Sequence, residues 1–331
     1  MDNNKRFDNK LIKAIKANSN KNYSFIEEVA NALDIGYDAA YRRVKGKTAI
    51  TLSDAIKLSK YFKISLGNLF DQKEEDTFVI SKTKEISNIV ELEKYFINLT
   101  RNLQYLNNKD SSILYSAKDL PIFYVLNDNL LSRFKIFVWL YILDSNFKLK
   151  HTPFHQFKIP KSLLNASINA GLAYNNVTIT EVWNYGVLNS VINQITYFFE
   201  IKLLNYRDAI TIYKDLTHTI ESIERASQLG TRNDKPYKLY HNELLILNNN
   251  VLIKYKNKKN LISPYSLLRY YLIEDQATCD KFEAFMNNQL SFSKLLSKTG
   301  LKDNTLFFKP LYKQLDKLKQ RIELLRQFPI S

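Results

Sequence analysis

Residues 24–70 read SFIEEVANALDIGYDAAYRRVKGKTAITLSDAIKLSKYFKISLGNLF, a run of short helix-sized segments broken by Gly and by capping residues. Ser24 is a strong N-cap and Glu27 stands three residues on, so the pair predicts a capping box opening a helix. Ile26, Val29, Ala30 and Leu33 recur at helical spacing and give that helix one apolar face. Asp34-Ile35-Gly36 stops it, with Gly36 supplying the dihedrals of a sharp turn. A second helix is expected from Tyr37 to Lys45, closed by Gly46 at C′. Thr51-Leu-Ser-Asp54 opens another, Leu52 to Phe62, with Leu52, Ala55, Ile56, Leu58, Ser59 and Phe62 turned inward. A further short helix closes the run, and five helices in all make up an expected N-terminal domain of residues 1–72.

Helix, three-residue turn, helix is a geometry that lays a second helix in a major groove. The run VANALDIGYDAAYRRVKGKTAITLSDAIKLSKYFKISLGNLF resembles, without gaps, the helix-turn-helix domain of the Cro/C1-type (XRE) regulators. The likeness covers roughly the first 70 residues. It is carried by the V-A-x-A-L start, the Gly46-Lys47 turn and the Ala55-Ile-Lys-Leu-Ser-Lys-Tyr-Phe-Lys-Ile-Ser ending. It implies sequence-specific binding of double-stranded DNA by a transcription regulator that pairs as a homodimer on a pseudo-palindromic operator. Phe25 or Ile26 stands where the family often has Gln. The third helix reads YDAAYRRVKG in place of a Ser/Thr-rich helix ending in WENG, so no half-site sequence transfers.

The chemistry of that third helix follows from position. Ala40 and Val44 are four apart and apolar, and face the preceding helices. Asp38, Arg42 and Lys45 form an outward stripe, with Ala39 and Arg43 beside it. Arg42 suits a bidentate contact with guanine O6 and N7, and Asp38 suits cytosine N4 or the orientation of Arg42 one turn on. Tyr37 and Tyr41 lie on the boundary, within reach of phosphates or a thymine methyl. Lys45 and Lys47 position the chain on phosphates. The bland alternative is a solvated basic surface.

Charge agrees in sign. Lys and Arg number 48 against 33 Asp and Glu, a net of +15 that favours acidic partners. Part of this reflects a Lys/Asn/Ile/Tyr-rich composition. Residues 1–72 carry 13 cationic and 8 anionic side chains, residues 251–331 carry 15 and 7; on the latter a solvated basic face is the plainer reading. One cysteine, Cys279, excludes an intrachain disulfide framework and fits a reducing, cytoplasmic setting. MDNNKRFDNK lacks the apolar run of a secretory leader. The most apolar stretch, Leu130 to Leu143, holds Arg133 and Lys135 and is too short to span a bilayer.

Beyond Phe70, residues 73–84 read as a polar linker, and residues 85–331 as a larger domain for dimerisation and signal sensing. Two a/d seams stand out there, Ile89, Leu92, Phe96, Leu99, Leu103 and Leu106, then Phe308, Leu311, Leu315, Leu318, Ile322 and Leu325. One reading is dimerisation through at least one seam, the other a shared intrachain core. Helices are expected at Asn129–Leu143, Pro160–Tyr174, Trp183–Asn205, Arg207–Leu229, Ser263–Ile273 and Ala277–Ser297. A single β-hairpin is expected with Glu243–Leu247 and Val251–Lys256 around Asn248-Asn-Asn, and short strands are possible at Ile113–Tyr115 and Ile122–Val125. The expected fold is thus mainly α: a five-helix reader joined to a larger helical domain with one small hairpin. The stretch SAKDLPIFYVLNDNLLSRFKIFVWLYIL is faintly similar to regions that follow such readers in uncharacterised regulators.

Little else carries chemistry. His151 and His155 have metal-like spacing, but Pro153 breaks the helix that would align them and no further ligand is near in sequence. Cys279 reads as a small buried residue. No phosphate-cradling Gly loop is present. The expectation is a DNA-binding regulator without cofactor or metal, not an enzyme, with a small-molecule or protein effector left open. The alternative is an enzyme or toxin-type effector whose reader autoregulates its operon.

Overall fold

The computed structural model describes residues 2–19, 24–64, 66, 80–107, 110–143, 149–245, 248–298 and 301–327, with the side chains of residues 2–7 and 301 excepted. It divides into two units, Met1–Ile80 and Ser81–Ser331.

The first unit holds α1 (Asp2–Ala17), α2 (Phe25–Leu33), α3 (Tyr37–Val44) and α4 (Leu52–Tyr61). The helix expected after Ile64 falls on residues 65–70, nearly all outside the described residues. Leu11, Ile15, Val29, Ala30, Leu33, Ala40, Ala55, Leu58 and Phe62 form its core. Two expected inward positions of α4 are corrected: Leu52 is 73% exposed and Ile56 40%. Ser24 does cap α2, but its side chain makes no capping hydrogen bond. The Thr51/Asp54 capping box on α4 is complete in both directions.

The second unit overturns the mainly-α expectation. Among the described residues nine strands form one mixed sheet, β1 (Ser81–Lys82), β2 (Ser111–Ser116), β3 (Thr178–Trp183), β4 (Thr231–Arg232), β5 (Lys235–His241), β6 (Asn250–Tyr255), β7 (Lys258–Ser266), β8 (Arg269–Ile273) and β9 (Lys294–Leu295). Their order is β1-β8-β7-β6-β2-β3-β5-β4, with β9 on β5. The central β2, β3 and β5 run parallel. Parallel neighbours cannot be joined by a hairpin, so each connection must cross over, and here it does so through helices. α6 (Leu130–Leu143) and α7 (Lys161–Tyr174) lie between β2 and β3; α8 (Asn189–Glu200) and α9 (Tyr206–Leu229) lie between β3 and β5.

Strand alternation then sorts two cores. Ile113, Tyr115, Ile179, Tyr237 and Leu239 face the helical layer, which also contains α5 (Ile89–Tyr105) and α11 (Leu301–Gln327). Leu114, Val182, Leu252 and Leu261 face the opposite way, onto Cys279 and Met286 of α10 (Gln276–Ser291). The result is an α/β layer arrangement with many helices on one face and α10 on the other.

Particular expectations fail for local reasons. Ser263–Ile273 is no helix: β7 and β8 pair there, and Leu268 turns the chain with φ +56°. The expected hairpin is displaced by one strand. Asn249 does take a positive φ of +56°, but it only leads into β6, which pairs with β7 across Lys256 at φ +51°. Glu243–Leu245 is not a strand; Asn242 Oδ1 accepts from the backbone N–H groups of Leu244 and Leu245 instead. Ile122–Val125 is a 3₁₀ turn, and Ile113–Tyr115 lies within β2. The expected helix from Trp183 begins only at Asn189, and that from Ala277 ends at Ser291, before β9. Residues 81–82, placed in the linker by sequence, are β1, paired with β8. Among the described residues no helix is long and apolar enough to cross a membrane.

Candidate nucleic-acid interface

The turn between α2 and α3 owes its geometry to Asp34, which takes φ +60°, whereas Gly36 stays at φ −66° and N-caps α3. A short aspartate tolerates the left-handed region at modest cost. Its N–H and that of Ile35 return to Asn31 O and Ala30 O, closing the end of α2. Gly46, at φ +68°, closes α3.

Helix α3 is eight residues long and only Ala40 on it is fully buried. Val44 packs half-buried beside it. Most of its circumference therefore faces outward. Tyr37 is 50% and Tyr41 37% exposed, and Asp38, Arg42, Lys45 and Lys47 are exposed. The Lys45 and Lys47 ammonium groups stand 5.8 and 6.0 Å from the Tyr41 ring centre. A shallow hollow lined by Gly36, Tyr37, Asp38, Ala39, Arg42, Arg43 and Thr48 runs alongside. Among the described residues the Arg42 guanidinium has no hydrogen-bond or ion-pair partner.

Arg43 departs from its expected place among the DNA contacts. Its Nε donates to Asp54 Oδ2 at 3.0 Å and its Nη1 to Ala39 O at 3.4 Å. Asp54 is also the N3 residue of the α4 capping box, accepting from Thr51 N at 3.2 Å. Partial burial raises the Asp54 carboxyl, but hydrogen bonds from Arg43 and Thr51 and the arginine charge outweigh that and hold it below its ordinary value. Arg43 thus fastens α3 to the start of α4.

Both apolar seams are used inside the second unit. Leu92, Phe96, Leu103 and Leu106 of the first, and Phe308, Leu311, Leu315, Leu318 and Ile322 of the second, are buried in one core, with Ile89 and Leu99 half-buried against it. Leu325 is intermediate in exposure. The intrachain alternative accounts for them, so these faces are not open to a second copy.

Sequence reasoning missed a buried ionic cluster in the second unit. Glu181, wholly buried on β3, accepts from Tyr174 Oη at 2.6 Å, Tyr124 Oη at 2.9 and 3.0 Å, and Tyr237 Oη at 3.2 Å. Arg232 Nη1 donates to Tyr124 Oη at 2.9 Å, and the guanidinium lies 4.5 Å from the Tyr174 ring centre. Burial raises the Glu181 carboxyl above its usual range, against the Arg232 charge and the three phenols that pull it down. The arrangement ties β3, β4, β5, α7 and the Ile122–Val125 turn together, with its carboxylate and phenols buried and Arg232 partly exposed. Its signal in the sequence was a lone Glu in the strand-like TITEVW.

His151 and His155 are both exposed on either side of Pro153, and no group of three metal-ligating side chains occurs among the described residues. Cys279 is buried, and burial raises its thiol above the usual range. No protein-family model, curated protein or solved structure matches the chain, so the reading of the α3 surface rests on its own residues.

Proposed function

We propose that the chain is a sequence-specific transcription regulator of double-stranded DNA, of the Cro/C1 (XRE) type, with α3 as reader. The observation that carries this is the exposed Arg42, without a side-chain partner among the described residues, between Asp38 and Lys45 on the outer face of a helix that follows a three-residue turn. Arg42 reads a guanine edge in the major groove. Lys45 and Lys47, with Tyr37 and Tyr41, set the helix on the phosphates. The protein acts in the cytoplasm as a homodimer on a pseudo-palindromic operator, pairing through surfaces other than the two seams, since those are occupied.

Selection of bound fragments from random duplexes by the full chain supplies an operator for the test. Arg42→Ala is expected to weaken operator binding by about 1–3 kcal/mol and to relax preference at one base pair in each half-site. Lys47→Ala weakens binding to all duplexes alike and lowers the slope of log affinity against log salt by about one. Operator binding unchanged by Arg42→Ala, or no selection from the pool, refutes the reading.

A further inference from the structure

The second unit contains a cavity of about 460 Å³ between the sheet and the helical layer. That size falls among the pockets that hold small organic ligands. Its wall is mainly apolar, with Leu99 and Leu103 of α5, Ile113 of β2, Ile253 of β6, Phe123 and Trp139 among the lining side chains. Into this wall α6 brings one cation. Lys135 is 8% exposed, and its ammonium stands 5.5 Å from the Trp139 ring centre. Among the described residues its hydrogen-bond partner is Gln194 Oε1, at 2.5 Å, and it forms no ion pair.

An ammonium has three donors. One is used here on a neutral amide. The carboxylate that also lines the cavity, Asp119, makes no hydrogen bond or ion pair with Lys135 among the described residues; its Oδ2 accepts from Asn249 Nδ2 at 2.9 Å. A buried charge is stable only when paired and hydrogen-bonded, and among the described residues no anion bonded to Lys135 completes that pairing.

We infer that this cavity binds a small apolar carboxylate, with the anion on Lys135 and Gln194 and the hydrocarbon along Leu99, Leu103 and Ile253. Charge complementarity selects the anion over an amine of the same length, and the apolar wall selects a hydrocarbon body over a compact polar acid. Ser190, at the start of α8, adds a hydroxyl beside the head-group end of the wall. The inference goes beyond DNA reading and stands independently of it, because the measurement involves no nucleic acid.

The experiment displaces 1-anilinonaphthalene-8-sulfonate from the full chain with decanoate, decylamine or decanol. Decanoate is expected to compete at one site per chain, at least about tenfold more tightly than decanol, with decylamine weakest; a hydrogen-bonded charge pair is worth that factor or more. Lys135→Met should abolish the preference of decanoate over decanol and keep decanol binding. Leu99→Trp, which fills the cavity from α5, should lower binding of both. Native far-ultraviolet circular dichroism and a cooperative urea transition show that each variant is folded. Equal decanoate affinity in wild type and Lys135→Met, no preference for the acid over the alcohol, or binding indifferent to Leu99→Trp would each overturn the inference.

Discussion

Replacing Lys135 by Met should make the stability of the second unit depend on pH in a calculable way. Burial, partly opposed by the charge of Asp119, brings the Lys135 ammonium down from 10.5 to about 8. Below pH 8 the amine is charged in both folded and unfolded chain, and the folded state carries the full desolvation penalty. Between about 8 and 10.5 the unfolded chain keeps a proton that the folded chain has released, so wild-type stability rises with pH. Above 10.5 the amine is neutral in both states and the penalty is gone. At 1.36 kcal/mol per tenfold change in proton affinity, the rise is about 3 kcal/mol. Lys135→Met lacks it. At pH 7 the variant should therefore equal or exceed wild type, by up to about 3 kcal/mol less roughly 1–2 kcal/mol for the lost Gln194 hydrogen bond. Near pH 10 wild type should close or reverse that gap. Urea unfolding followed by tryptophan emission isolates the effect, because the chain has two tryptophans, Trp139 and Trp183, both buried in the second unit. Titrating tyrosines affect both proteins alike and cancel in the difference. A stability difference that stays constant within about 0.5 kcal/mol from pH 7 to 10 would refute the reasoning.

Two further outcomes probe other contacts. In Gly171→Ala the new Cβ would lie 2.2 Å from the Leu126 carbonyl oxygen, a backbone atom that cannot swing aside. Calorimetry should show a net loss of about 1–3 kcal/mol even after the gain in helix propensity that alanine brings. Arg43→Ala should act on stability rather than base preference, costing the first unit about 1–2 kcal/mol, read as faster amide exchange across α3 and α4. Because the Asp54 carboxyl is held below its ordinary value, the stability it contributes is present above the unfolded carboxyl pKa near 3.8 and fades as pH falls through the lower folded value.

The helices of the first unit were legible because their signals are local. Gly46 at C′, the Thr51/Asp54 capping box and the Ala40/Val44 spacing each act within a few residues, and each appears where the sequence puts it. The tie from Arg43 to Asp54 was not legible, because its partner lies eleven positions on and presents itself only after α4 packs beside α3. The sheet was hidden for a different reason. Its parallel strands are buried on both faces, so Ile113-Leu114-Tyr115 shows no polar alternation, and such short apolar runs pass for pieces of buried helix. Tyr265–Ile273 carries enough Leu and Tyr to mimic a helical face, and nothing nearby announces that Leu268 will turn the chain. Lys135 was visible as a cation in an apolar run, but the cavity around it is lined from α5, α8 and four strands far away in sequence.

The short β1 strand has a mechanical consequence. It is held on β8, where Thr83 N donates to Tyr270 O at 3.1 Å, Tyr270 N donates to Thr83 Oγ1 at 3.1 Å, and Arg269 Nη2 donates to Glu85 Oε1 at 2.6 Å. Arg269 and Tyr270 also form part of the cavity rim. The first residues of the second unit are thus fastened to a strand that lines the chamber. A guest that pressed Arg269 or Tyr270 outward would strain these bonds first, so amide exchange at Thr83 and Tyr270 registers occupancy of the chamber.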